Sequence, residues 1–337
     1  MIPVRIKSTG VYAPGLPIGN QELKNLAKID FDTAKTESKI GIVQRHIAHL
    51  RGINETAADF ATKAGVEAIA NAGLAASDIG LFIVATDTPE YISPSTAIVV
   101  QGRIQKGEVW GGAFDINAAC ASFSIAFDTA SRILANNSLI RFALVIGVYN
   151  MPAFFRPGDA FGYSIFADGA GAFVLERVEG TESSSGYIGG QQLTDGTQWN
   201  YIGIYSGAAR KPITHQMLDS GEYGLQNLQP LPGDRNVRLW PMVVEKLLNG
   251  HSVKLEEVDH FVFTQINHSV IVKVMEVLKQ PMTKTTCVMD RYGYTGSGCL
   301  PMAFHHAVSE GRVKRGNKVV FVASGAGLAV GSNLFIY

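Results

Sequence analysis

Between Asn54 and Gly73 the chain reads NETAADFATKAGVEAIANAG, with Phe60, Ala64, Ala68 and Ala72 spaced four apart. That spacing predicts a helix with one apolar stripe, capped by Asn54 and stopped by Gly73. Ile79-Gly80-Leu81-Phe82-Ile83-Val84-Ala85 follows, an apolar run without polar alternation, as expected of a strand buried on both faces of a parallel sheet. The unit returns later as a helical stretch around Trp240 to Leu248 and then Leu255 to Thr264, with Asp78-Ile79 and Glu257-Val258 at equivalent places. Arg141 to Val148 and Asn317 to Ser324 are a second matching pair, each apolar and each after an Ala-rich helical stretch. The pattern predicts two similar α/β halves. No Pro-rich or charged linker divides them; the nearest break is a loop tip at Glu182-Ser183-Ser184-Ser185-Gly186, which sets the halves at 1–180 and 181–337. From about Tyr187 to Leu239 the pattern is irregular, and this stretch is assigned to an excursion over the site rather than to core.

The 337 residues are 46% apolar and 17% charged, with 29 Lys+Arg against 29 Asp+Glu. This is a globular composition, and the zero net charge gives nucleic acid no general attraction. No apolar run is long enough for a membrane span, and the opening residues carry charges where a signal peptide needs an apolar core. A cytoplasmic chain with no nucleic-acid and no membrane partner is expected. Cys120, Cys287 and Cys299 are too few and too far apart for disulfides or a zinc site. The 36 glycines anticipate tight turns and close backbone approaches.

Cys120 stands in Phe114-Asp115-Ile116-Asn117-Ala118-Ala119-Cys120-Ala121-Ser122-Phe123, where an apolar strand ends and a small-residue helix begins. A thiol at a helix N-terminus faces unpaired N–H groups that favour thiolate, so a lowered pKa is expected there. The alternative is a buried structural cysteine, and Cys287 and Cys299 are assigned that role. Asp168, in an Asp-Gly-Ala-Gly turn, reads as a turn residue bonding its own backbone. The terminal Gly325-Ala326-Gly327 stretch lacks the spacing and the following helix of a dinucleotide fingerprint. P-loop, zinc-protease and serine-hydrolase signatures are absent.

Seven pieces, in order, resemble the β-ketoacyl-acyl-carrier-protein synthase III family. They are Ile40-Gly41-Ile42 with Arg45-His46-Ile47-Ala48; Ala85-Thr86-Asp87-Thr88-Pro89 with Pro94-Ser95-Thr96-Ala97; Asp115 to Cys120; Phe166 to Ala172; Gln265-Ile266-Asn267; Arg291 to Thr295; and Gly325 to Leu328. The resemblance implies a thiolase-like fold of two duplicated βαβαβαββ halves in a five-layer αβαβα arrangement, and a homodimer. It also implies that Cys120 accepts an acyl group from a coenzyme A or acyl-carrier-protein thioester, which a malonyl-type extender then takes in fatty-acid or related biosynthesis. No tightly bound cofactor and no metal are implied. The amides of Cys120 and Ala326 would form the oxyanion hole.

Where the family carries a catalytic histidine and asparagine, this chain has Thr264 and Tyr294. Each hydroxyl can donate one hydrogen bond, but neither replaces an imidazole as a base. His268, four residues after Thr264, is the expected substitute base, with a helix-surface role as its alternative. His305 and His306 read as helix-face residues. Lys35 and Val43 replace the usual adenine-stacking pair, so coenzyme A binding does not follow, and Arg210-Lys211 is a candidate carrier-protein contact. Two other readings stay open: a non-decarboxylating acyltransferase or thioesterase using Cys120, and an inactive partner subunit.

Overall fold

The structure is a computed structural model that describes residues 3–179 and 185–337. The boundary expected between 180 and 181, and the loop tip over Glu182-Ser183-Ser184, lie outside the described residues.

Apolar runs without alternation become the inner strands of two sheets. The first sheet runs Val4–Tyr12, Gly169–Arg177, Phe142–Tyr149, Ile79–Ala85, Gly112–Ile116. The second runs Gly186–Thr194, Ala329–Ile336, Lys318–Gly325, His260–Phe263. Ile79–Ala85 and Phe142–Tyr149 pair in parallel, as do their counterparts His260–Phe263 and Lys318–Gly325. A parallel bridge between Phe261 and Thr285 marks the place that Gly112–Ile116 fills in the first half. Asp78 and Glu257 also correspond: each closes a short 3-10 turn, accepting from the amides of Ala75 at 2.8 Å and Lys254 at 3.4 Å. These matched turns and strands are the duplication that the sequence pattern predicts.

Helices stack the sheets into five layers. Ala57–Asn71 and Thr96–Gln105 cover the outer face of the first sheet, and Arg235–Gly250 packs on the second with His268–Val277 beside it. Ser122–Asn136 and Cys299–Ser309 lie between the sheets. Phe127, on the first of these, meets the rings of Phe173 at 6.0 Å and Phe335 at 5.3 Å, one from each sheet. The central layer is thus a shared aromatic core.

Two expectations change. The first helix begins later than Asn54: Thr56 is its cap, with its amide donating to Asp59 Oδ2 at 3.0 Å, because Thr-x-x-Asp closes a reciprocal capping box. Gly186–Thr194 is not excursion but an edge strand, paired with Ala329–Ile336. Its glycines and glutamines hid it, since they carry little β signal. The stretch from Asp195 to Asp234 does form a cap of short elements, among them Ile202–Ile204 paired with Leu225–Asn227.

Phe127→Ala removes a fully buried ring from the shared layer and is expected to lower unfolding stability by roughly 3–5 kcal/mol in urea titrations. Leu139→Ala, at a position 92% exposed, should change it by less than about 0.5 kcal/mol. Equal effects would contradict this assignment of the core.

Candidate active site

The segment Asp115 to Ser122 is shaped by its own polar side chains. Asp115 accepts from the amides of Thr96 and Ala97, both at 2.7 Å, tying the strand end to the start of the preceding helix. Asn117 Oδ1 accepts from the Ala119 amide at 3.1 Å. The Ser122 hydroxyl accepts from the Ala118 amide at 2.8 Å and donates to the Ala119 carbonyl. Ala119 is thereby held at φ +50°, a left-handed conformation costly for a residue with a Cβ. The bend projects Cys120, half-buried, into a cavity of about 250 Å³.

The terminal glycine bend lies against that cysteine. A Cβ at Gly325 would sit 2.7 Å from the Cys120 nitrogen and 2.8 Å from the Ala118 carbonyl oxygen, so only glycine allows this approach. Ala326 lines the same cavity, which brings together the two positions expected to supply oxyanion amides. Thr264 and Tyr294 line it too. Thr264 Oγ1 accepts from the Ser324 amide at 3.0 Å, which leaves its own O–H to donate. Tyr294 and Tyr149 line the cavity beside Cys120.

The expected lowering of the Cys120 pKa is not found. Burial, first, and the nearby Asp87 charge push the thiol above its ordinary value, against the two tyrosine hydroxyls, which favour the thiolate. The helix end gives little relief. The amides of Ala121 and Ser122 already donate within the bend, to Ala118 at 3.1 Å and Ala119 at 3.0 Å. A strand-to-helix junction shows in the sequence; where its N–H groups point does not.

His268 is also corrected. It is the first residue of its helix, capped by Asn267, and is absent from the cavity lining among the described residues. A Cβ at Gly41 would lie 2.7 Å from the His268 Cβ, so the imidazole stem packs on the loop following Ile40. His305 and His306 bond Thr9 at 2.9 Å and Tyr292 at 3.0 Å, away from the cavity. Asp168 does not bond its own backbone. Its carboxylate accepts from the Ala48 amide and from Asn150 Nδ2, each at 2.7 Å, joining two loops, and burial raises its pKa to about 7. Lys35 and Val43 are exposed, and Lys211 pairs with Glu222 at 2.9 Å.

Sequence reasoning passed over Asp87, Tyr149, Arg235 and Asn236, all in the cavity lining. Asp87 was the legible one, a carboxylate in the turn directly after a fully apolar strand. Its flanking threonines lock that turn: Thr86 Oγ1 accepts from the Thr88 amide at 3.0 Å, and Thr88 Oγ1 from the Asn150 amide at 2.8 Å. Asp87 Oδ1 is buried with no hydrogen-bond partner. The lining is otherwise largely apolar, with Met151, Phe166, Ile202, Ile204, Leu225 and Ile266 among its residues.

Sequence profiles described as 3-oxoacyl-(acyl-carrier-protein) synthase III and its C-terminal part match residues 114–196 and 248–337. A β-ketoacyl-(acyl-carrier-protein) synthase III of Wolbachia pipientis wMel is 31% identical over 332 residues, 98% of each chain. The chain belongs to this synthase III family. The enzyme of the same name from Solibacter usitatus is 30% identical over 335 residues, 99% of each chain. The crystal structure of the Aquifex aeolicus VF5 3-oxoacyl-(acyl-carrier-protein) synthase III superposes with a TM-score of 0.84 at 29% identity, covering 99% of this chain and 100% of that one. The thiolase-type fold of the family is therefore the fold of this chain, and the bend carrying Cys120 lies within the first matched segment.

Because burial raises the thiol, iodoacetamide should label Cys120 more slowly at pH 7 than it labels a free cysteine of pKa about 8.5, with the rate still climbing above pH 9. Peptide mapping across a pH series checks this. A plateau below pH 8 would mean that the thiolate is stabilised after all.

Proposed function

We propose that this chain is a condensing acyltransferase in fatty-acid or related acyl-chain biosynthesis, with Cys120 as the acyl-accepting nucleophile. The observation that carries the reading is the sulfur on the cavity wall beside the Gly325-Ala326 bend. An acyl thioester of coenzyme A or of an acyl-carrier protein enters, the Cys120 sulfur attacks its carbonyl carbon, and the donor thiol leaves. The amides of Cys120 and Ala326 receive the negative charge on the carbonyl oxygen; one donor of this kind is worth roughly 10²–10³ in rate. The apolar part of the lining receives the chain. A malonyl-type extender then loses carbon dioxide, and the carbanion attacks the acyl-Cys120 thioester. The Thr264 and Tyr294 hydroxyls are the donors available to the extender's enolate oxygen.

A second reading is transfer of the acyl group to an alcohol, amine or water. It is favoured by the hydroxyls of Thr264 and Tyr294 on the cavity lining, at positions where the family resemblance implies an imidazole and a carboxamide. Cytoplasmic location and assembly as a homodimer belong to the proposal as well. Among the described residues no helix is long and apolar enough to cross a membrane. The edge strand Gly112–Ile116, with Trp110 96% exposed beside it, supports a dimer built through that edge.

Intact mass spectrometry after incubation with acyl-coenzyme A or acyl-carrier protein should show one acyl adduct that Cys120→Ala lacks. Adding malonyl-carrier protein should then release carbon dioxide and clear the adduct. An adduct cleared without carbon dioxide would favour the second reading. No adduct from either donor would overturn both and leave a non-catalytic partner.

A further inference from the structure

If Cys120 is loaded as proposed above, a thiol that burial keeps protonated needs a group to take its proton as the sulfur attacks. Among the described residues lining the cavity, the ionisable side chains are Asp87, Cys120, Tyr149, Arg235 and Tyr294. Burial holds both phenols well above neutrality, and a guanidinium has no acceptor. His268 is outside the lining. Asp87 is the group left. Its turn is pinned by Thr86 and Thr88, and its Oδ1 is withdrawn from solvent with no hydrogen-bond partner. An unpaired carboxylate oxygen in such a place is costly, whereas the buried Asp168 carboxylate accepts from Ala48 and Asn150.

We propose that Asp87 is the general base of the acylation step, a reading that rests on Cys120 being the loaded nucleophile. Asp87 and Cys120 line one cavity without a direct hydrogen bond, so as the Cys120 S–C bond forms the thiol proton passes to the Asp87 carboxylate by way of one water. As the donor's C–S bond breaks, a proton passes back to the departing sulfur, which leaves as a neutral thiol. One S–C bond forms and one breaks, no proton is gained or lost overall, and no further reactant is needed. Burial raises the Asp87 carboxyl to about 6, which leaves it mostly ionised at pH 7 yet basic enough to share a proton during transfer. Cys120, Tyr149, Tyr294 and Cys299 are neutral across this range, and Arg235 is the cation on the lining.

The competing role for Asp87 predicts the opposite sign. As a bystander its charge merely raises the thiol's pKa, so removing it would ease ionisation and speed acylation. The test is the single-turnover rate of adduct formation, by intact mass, for wild type, Asp87→Asn and Asp87→Glu from pH 5 to 9 with acyl-coenzyme A and acyl-carrier protein. Expected are a wild-type rate that rises through pH 6 and levels, a roughly 100-fold fall in Asp87→Asn with the inflection lost, and partial recovery in Asp87→Glu. Asp87→Asn should melt no lower than wild type, since it removes a desolvated charge, and this establishes that the slow variant is folded. An Asp87→Asn rate equal to or above wild type would overturn the role of Asp87 while leaving Cys120 as the nucleophile. A wild-type protein that forms no adduct would instead overturn the functional reading beneath it.

Discussion

The site depends on one close contact between the two halves: the Gly325 backbone pressed against the amide of Cys120. The first half contributes the bend after Gly112–Ile116 and the second the bend after Lys318–Gly325. The aromatic layer between the sheets fixes their spacing, and absence of a side chain at Gly325 lets the two bends touch. Polar residues hold the first bend in a strained shape from within, through Asn117 and Ser122, so the sulfur's direction does not depend on substrate. In the proposed reaction, fold and chemistry meet at that contact, where two chain turns nearly collide and their backbone N–H groups would converge on one oxygen.

Burial sets the electrostatics. The same desolvation raises the thiol, both tyrosines and the Asp87 carboxyl, and it acts on all of them in the direction of the neutral form. In the proposed reaction, such a cavity would meet a passing negative charge with amides and hydroxyls rather than with standing cations. Arg235 is the exception on its wall, at the first turn of the Arg235–Gly250 helix.

Much of this was legible in the sequence. Helix-period alanines and unbroken apolar strands gave the repeated α/β unit, and the junction at Cys120 followed from apolar residues giving way to small ones. Cys120, Thr264, Tyr294 and Ala326 do come together in one cavity. His268 did not follow, because a residue at a helix start can face several ways and only the packing against Gly41 decides. The strand Gly186–Thr194 escaped because glycine and glutamine carry little strand signal, and its place is imposed by pairing along Ala329–Ile336. The thiol's pKa escaped for a related reason. A helix N-terminus stabilises charge through free amides, and hydrogen bonds inside the bend had already taken those of Ala121 and Ser122.

The most direct measurement is a crystal structure of the protein trapped with a slowly turning-over acyl thioester. Expected is continuous density from the Cys120 sulfur to an acyl carbon, with the carbonyl oxygen about 3 Å from the nitrogens of both Cys120 and Ala326 and the chain against Met151, Phe166 and Leu225. An acyl group bound elsewhere, or a carbonyl oxygen turned away from those amides, would contradict the account.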